Sequence, residues 1–340
     1  MSSSTSSSNH RRFFLWVALA VVVTNVVVLL VPWGGISDSK RAHQKRAREL
    51  AEATDFLIVG DSKAGPFSVD GLNPWLDGYR GLTFSGDSVT PVFHYDNLLE
   101  IREQVPGFRP RVVFIFVGAN NFNKNGQHVE REFTFFSELG LRKVWQWSAA
   151  QGDVLSFVEA VLSRAFPLYG RRVMITHLEF HHDPQHVFGV DSESFAKARS
   201  RPPDSGARNP IYDKNYYDIY RRSMYASYQS SPIIARATED LIELVRSFGG
   251  VPVLVLPPVT PEIRALEHEL IGDAFDQTLS AIVRKERVQV LDLRDQYEFE
   301  FLDVNHLSQK GARDVAIAFF LPIVAAHPPE TRAAKADPAR

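Results

Sequence analysis

Ser62 closes the segment Phe56-Leu57-Ile58-Val59-Gly60-Asp61-Ser62, in which a short apolar run delivers a small turn and a hydroxyl to one point. Four consecutive apolar residues before Gly-Asp read as a strand buried on both faces, as in parallel sheets. The serine then sits at the carboxyl end of that strand, where open α/β sheets bind ligands, and is a candidate nucleophile. A serine hydroxyl is weak unless a base lies within hydrogen-bond reach and a third group orients that base. Asp303 and His306 supply both types near the far end of the chain. Their spacing of three lets both side chains project the same way from a turn, with Ser308 capping the helix that follows through Ala312 to Phe320. Standing alone, such a pair is equally well a pair of solvated loop residues.

Two further segments bear on the same chemistry. Val112-Val113-Phe114-Ile115-Phe116-Val117 is another wholly apolar strand, running into Gly118-Ala119-Asn120-Asn121. An Asn at a strand end can donate its amide hydrogens to an oxyanion, and the adjacent Gly permits close backbone approach. Leu82-Thr83-Phe84-Ser85-Gly86 is a short strand ending at another glycine, whose backbone N–H is a second candidate donor.

Gly60-Asp61-Ser62, Gly86, Gly118-x-Asn120 and Asp303-x-x-His306 follow the order of the four blocks of the SGNH, or GDSL-type, hydrolase superfamily, and the chain resembles a membrane-anchored member. The resemblance implies a flavodoxin-like, doubly wound sheet of five parallel strands, with Ser62 as nucleophile, His306 as base and Asp303 as its orienter. It also implies an oxyanion hole made from the Ser62 and Gly86 backbone amides and the Asn120 side chain. The motifs are short segments spread from about position 55 to 315. Two positions depart from the family pattern: Asn121 stands where the third block often has Asp, and Lys63 replaces the Leu of Gly-Asp-Ser-Leu. The drift is similar to that of the alginate O-acetyltransferase-like and teichoic acid D-alanylation proteins, which are tethered to membranes and act on envelope polymers. A second Gly86-Asp87-Ser88 also occurs. Ser62 is preferred, because the longer buried strand precedes it and the blocks then fall in order.

At 340 residues the chain is long enough for one α/β domain with a large core plus an anchor. With 38 Lys and Arg against 40 Asp and Glu, it offers no extended basic face for nucleic acid. It contains no cysteine, which excludes disulfides, zinc-thiolate sites and thiol catalysis. The expected chemistry uses no cofactor and no metal.

A polar tail, 1–12, precedes the uncharged run from Phe13 to Val31, 19 residues and just long enough to cross a hydrocarbon core as a helix. No convincing small-x-small cleavage site precedes Pro32-Trp33-Gly34-Gly35, so the run reads as an uncleaved signal anchor. Residues 32–53 read as a basic stalk, solvated rather than lying on anionic headgroups. Lys40, Arg41, Lys45, Arg46 and Arg48 outweigh Arg11 and Arg12, a balance that favours a cytoplasmic domain by the positive-inside rule. The resemblance implies the opposite, an extracytoplasmic, periplasmic domain. Residues 54–327 form the expected catalytic domain and 328–340 a disordered tail.

The elements that must position these residues alternate between strand and helix patterns, which predicts a doubly wound α/β sheet. Strands are expected at about 55–60, 81–85, 111–117, 251–256 and 288–293, and helices at 92–103, 233–248, 261–284 and 309–325. Residues 121–232 greatly exceed what a crossover needs and form an insertion beside the site. In it Tyr216, Tyr220, Met224 and Tyr228 recur every four residues. Such a stripe either packs into the fold or stacks on sugar rings, which makes Tyr216 and Tyr220 candidate substrate-binding residues. Trp145 and Trp147 admit the same two readings, and the segment 201–210 reads as a loop or lid. His177, Glu179 and His181 would share one face of a strand, but proximity alone does not make a metal site.

The expectation is therefore a membrane-anchored serine esterase or O-acyltransferase that adds or removes O-acetyl groups on an envelope or exported polysaccharide. A membrane-bound acyltransferase partner supplying the acyl donor is implied by the resemblance alone. A plain esterase or lipase, and a non-catalytic assembly protein retaining the fold, are the alternatives.

Overall fold

A computed structural model of the protein describes residues 6–30, 36–50, 54–68, 72, 75–76, 78–86, 89–125, 141–150, 152–166 and 210–328. In chain order the elements are α1 (Ser6–Leu30), α2 (Ile36–Glu49), β1 (Phe56–Gly60), β2 (Gly81–Ser85), α3 (Pro91–Gln104), β3 (Val112–Phe116), α4 (Ala119–Phe122), α5 (Leu141–Ala150), α6 (Val154–Ala165), α7 (Pro210–Ile219), α8 (Pro232–Ser247), β4 (Val251–Leu256), α9 (Pro261–Leu270), α10 (Ala274–Glu286), β5 (Gln289–Asp292), α11 (Gln309–Val315) and α12 (Leu321–Ala326). The five strands make one all-parallel sheet in the order β2-β1-β3-β4-β5, the order of flavodoxin-like doubly wound sheets.

The strands are continuously apolar because helices cover both faces, while the two-residue period of a strand still sorts their side chains. Leu57, Val59, Val113, Ile115 and Leu254 enter the core formed with α3, α8 and α10. Phe56, Ile58, Phe114, Phe116, Val253 and Val255 enter the opposite core, against Phe67, Phe301, Val315 and Phe320. Phe320 stacks on Phe114 at 4.3 Å between ring centroids.

Three expectations change. The helix expected over 261–284 is two helices, because Gly272 takes φ +55° between α9 and α10 and ends the first in the left-handed region. The expected helix at 309–325 is continuous but opens into a π-type turn at Ala316–Phe320.

The third change concerns the basic stalk, one face of which is packed against the fold while Arg41, Lys45 and Arg48 stay exposed. Helix α2 lies on α3, with Lys40 Nζ 2.6 Å from Asp96 and 2.7 Å from Glu100, Gln44 bonded to Glu100, Arg48 to Gln104 and Ala47 fully buried. His43 is buried too, stacked 4.5 Å from the Phe84 ring of β2 with Nδ1 3.1 Å from the Asn97 amide. The basic face reads as solvated only while its acidic partner, 56 to 60 residues away, is out of view.

Helix α1 is one continuous element that takes in part of the expected polar tail. Phe13 to Trp16, four consecutive residues and so all sides of the helix, are 63–69% exposed. Among the described residues no helix is long and apolar enough to cross a membrane. The chain after 328 and the segments 126–140 and 167–209 lie outside the described residues.

Candidate active site

The carboxyl ends of β1 and β3 mark the point where the strand order reverses, the place at which open α/β sheets bind ligands. Both chain segments leaving these strands carry candidate residues. After β1, Asp61 accepts from the Lys63 backbone N–H at 3.0 Å and so caps a short 3₁₀ turn, Ser62–Phe67, that holds Ser62 at its first position. After β3, Gly118 leads into α4, and the Asn121 side chain accepts from the Gly118 N–H at 3.0 Å.

The histidine arrives on a turn that its own aspartate builds. Asp303 Oδ1 accepts from the backbone N–H groups of Asn305 and His306, each at 2.8 Å, in the manner of an Asx turn. The Leu302 N–H donates to the His306 carbonyl at 2.8 Å, and an antiparallel bridge between Phe301 and Leu307 closes the loop. Thr260, following β4, donates from its hydroxyl to the Val304 carbonyl at 2.9 Å and pins the turn to the sheet. Ser308 then caps α11 by accepting from the Gly311 N–H at 3.0 Å.

These elements bring Ser62, His306 and Asp303 together. His306 Nε2 lies 2.8 Å from Ser62 Oγ, and Nδ1 lies 2.8 Å from Asp303 Oδ2 and 3.0 Å from Oδ1. A carboxylate on Nδ1 fixes the tautomer with its proton there, leaving Nε2 free to accept from the serine. Burial on its own would lower the imidazole pKa, yet the adjacent Asp303 charge and its hydrogen bond raise it above the ordinary value. Asp303 is 1% exposed, and although burial opposes its ionisation, His306 and two backbone N–H groups hold its carboxyl below the usual range.

The expected oxyanion residue Asn120 belongs to a buried polar lattice. Asp61 Oδ2 accepts from the amide groups of Asn120 at 3.2 Å and Asn121 at 3.1 Å. Lys63 Nζ donates to Asn120 Oδ1 at 2.7 Å. Burial works against the Asp61 charge, but Lys63, the Lys63 backbone N–H and the two asparagine amides together keep its carboxyl below the ordinary value. At Gly118 a Cβ would stand 2.7 Å from Asn120 Oδ1 and 2.9 Å from Lys63 Nζ, so only glycine lets these groups close over the backbone.

Among the remaining candidates, the Gly86 N–H, expected as an oxyanion donor, donates to the Gly60 carbonyl at 3.3 Å, which joins that loop to β1. Tyr216 meets His306 edge-on, with ring centroids 5.7 Å apart. Tyr220 is buried, 5.0 Å from Tyr225, and its ring lies under Lys63 at 5.8 Å. The tyrosine stripe is thus partly packing, reshaped by a π-type turn at Tyr220–Met224 that Asn123 ties to the end of β3 through the Met224 carbonyl at 2.8 Å. Trp147 is buried and donates to Asp240 at 2.8 Å, whereas Trp145 is exposed and packs on Phe157. Asp87 and Ser88 of the second Gly-Asp-Ser, the histidines at 177, 181, 182 and 186, and the lid expected at 201–210 save its last residue lie outside the described residues.

Asp61, Asn121 and Lys63 join the site without being among the residues the sequence pattern points to. The one available signal was the Lys in the position after Ser62, a long cation following a buried strand. Compared with protein-family models the chain matches none, and no curated protein matches it.

Proposed function

We propose that the protein is a serine acyl-transfer enzyme of SGNH type, an O-acetyltransferase or O-acetylesterase acting on an envelope or exported polysaccharide. The observation that carries this reading is the relay from Asp303 through His306 to Ser62, with 2.8 Å at each junction, beside the Asn120 amide. In the first step Ser62 Oγ bonds to the acyl carbon as its proton passes to His306 Nε2, and the carbonyl electron pair moves onto oxygen. The oxyanion is met by donors at the β1 and β3 ends, the Ser62 N–H and the Asn120 amide. Collapse breaks the ester bond, and the leaving alkoxide takes the proton from Nε2. Water or a sugar hydroxyl then attacks the acyl-serine, gives its proton to Nε2, and Ser62 departs with that proton. Asp303 stays ionised and stabilises the imidazolium at each stage.

The exposed apolar residues Phe13 to Trp16 of α1 fit attachment to a bilayer; an extracytoplasmic catalytic domain and a membrane-bound acyltransferase as donor enter this reading from the family resemblance alone, against the local charge balance. In this reading Tyr216, whose ring lies 5.7 Å from that of His306, would meet the acceptor sugar.

The reading is tested by intact-mass analysis of the full chain in detergent after treatment with a fluorophosphonate. One adduct is expected on wild type and none on Ser62→Ala or His306→Ala. A folded wild type that takes no adduct sinks the proposal. Turnover of simple acyl esters, with no increase on adding glycan, would make the protein a plain esterase.

A further inference from the structure

The position after the nucleophile holds a lysine in a place with almost no solvent. Lys63 is 4% exposed, and among the described residues its ammonium makes no direct salt bridge, though its charge acts on the Asp61 carboxylate. The one hydrogen-bond acceptor it has among them is Asn120 Oδ1 at 2.7 Å, with the Tyr220 ring on another side. Asn120 is thereby held from both ends, its oxygen on a cation and its amide on the Asp61 carboxylate at 3.2 Å. Turning the amide over would set Nδ2 against the ammonium and Oδ1 against the carboxylate, two repulsive contacts in a buried site.

We propose that Lys63 is a positioning residue, fixing the orientation of the Asn120 amide and polarising it toward the oxyanion. The inference rests on the acyl-transfer reading above and adds a role for the departure from Gly-Asp-Ser-Leu. A cation on the carbonyl oxygen of an amide draws electrons from its nitrogen, so the remaining Nδ2–H becomes a stronger donor to a developing negative charge. The Lys63 charge also depresses the His306 pKa, against the larger opposing effects of Asp303 and of the Asp61 charge.

The test compares wild type with Lys63→Met, which keeps the length of the side chain and removes its charge, and with the same change in an Asn120→Ala background. Circular dichroism confirms folding of each. Lys63→Met is expected to lower kcat on the order of tenfold with KM unchanged. In Asn120→Ala, itself slower by about 10² to 10³, the lysine change should cost less than about twofold. The acid limb of kcat/KM should move to higher pH in Lys63→Met, because His306 loses a nearby positive charge. Equal losses in both backgrounds, or an unmoved limb, overturn the proposal while leaving the serine chemistry intact. Nuclear magnetic resonance separates the two readings without turnover. The Asn120 side-chain amide signal, identified by its loss in Asn120→Ala, should move in Lys63→Met, and an unchanged signal overturns the role of Lys63 whatever the activity.

Discussion

The two halves of the site are built on opposite plans. The base half is local: Asp303 and His306 sit three residues apart, and one carboxylate both shapes the turn and orients the ring. The oxyanion half is assembled from afar, with Asp61 and Lys63 meeting Asn120 and Asn121 across 57 to 60 residues. A local device needs only its loop to be anchored, here by Thr260. An assembled one inherits every displacement of the two strands that carry it, and its buried charges must stay mutually satisfied. The local half is therefore expected to fail in rate when altered, and the assembled half in rate and stability together.

The largest effect should come from Asp303→Asn, which leaves the turn in place but presents an amide to Nδ1 and favours the wrong tautomer. Loss of kcat on the order of 10⁴ is expected with little change in unfolding midpoint, as read by ester turnover and urea denaturation. Asp61→Ala should lower rate and stability together. It strands the buried donors of Lys63, Asn120 and Asn121, and a loss of about 3 to 5 kcal/mol in urea unfolding is expected. A fully stable Asp61→Ala protein would break the distinction between the halves.

A remote buttress gives the next test, since α2 reaches the assembled half through β2 and α3. Burial, aided by the positive charge of Arg46, lowers the His43 pKa to about 4. The unfolded chain binds this proton near the ordinary value of about 6.5, so between the two values only the unfolded state is protonated. Stability is therefore complete above about 6.5 and falls toward pH 4, by about 3 kcal/mol from this group, and His43→Gln should flatten that slope. The smallest effect concerns the local half in wild type. The His306 pKa is raised, so if it is the base of the proposed reaction kcat/KM should drop as pH falls through a value above about 6.5.

The same contrast explains what could be read from sequence. Continuous apolar runs such as Val112–Val117 announce strands covered on both faces, and all five strands lie within a residue or two of their expected places. Asp303-x-x-His306 was visible as spacing because its partners are neighbours in the chain. Asp61 and Asn121 carry no such mark, since a polar residue after a strand looks alike whether solvated or buried. Helix α2 reads as a solvated stalk for the same reason: Lys40 and His43 look like a surface face until Asp96 and Asn97 are brought beneath them. Gly272 was passed over because one glycine within an amphipathic stretch leaves its periodicity intact.

The 244 residues between Ser62 and His306 also set a clock. A ribosome adding about 5 to 20 residues per second exposes the serine roughly 12 to 50 seconds before its base exists. During that interval the hydroxyl is no more reactive than any other, so a nascent chain is chemically silent. Under the proposed acyl-transfer reading, reactivity arises only when the last strand and the loop after it have docked, and acylation of Ser62 would be a timestamp for completed folding.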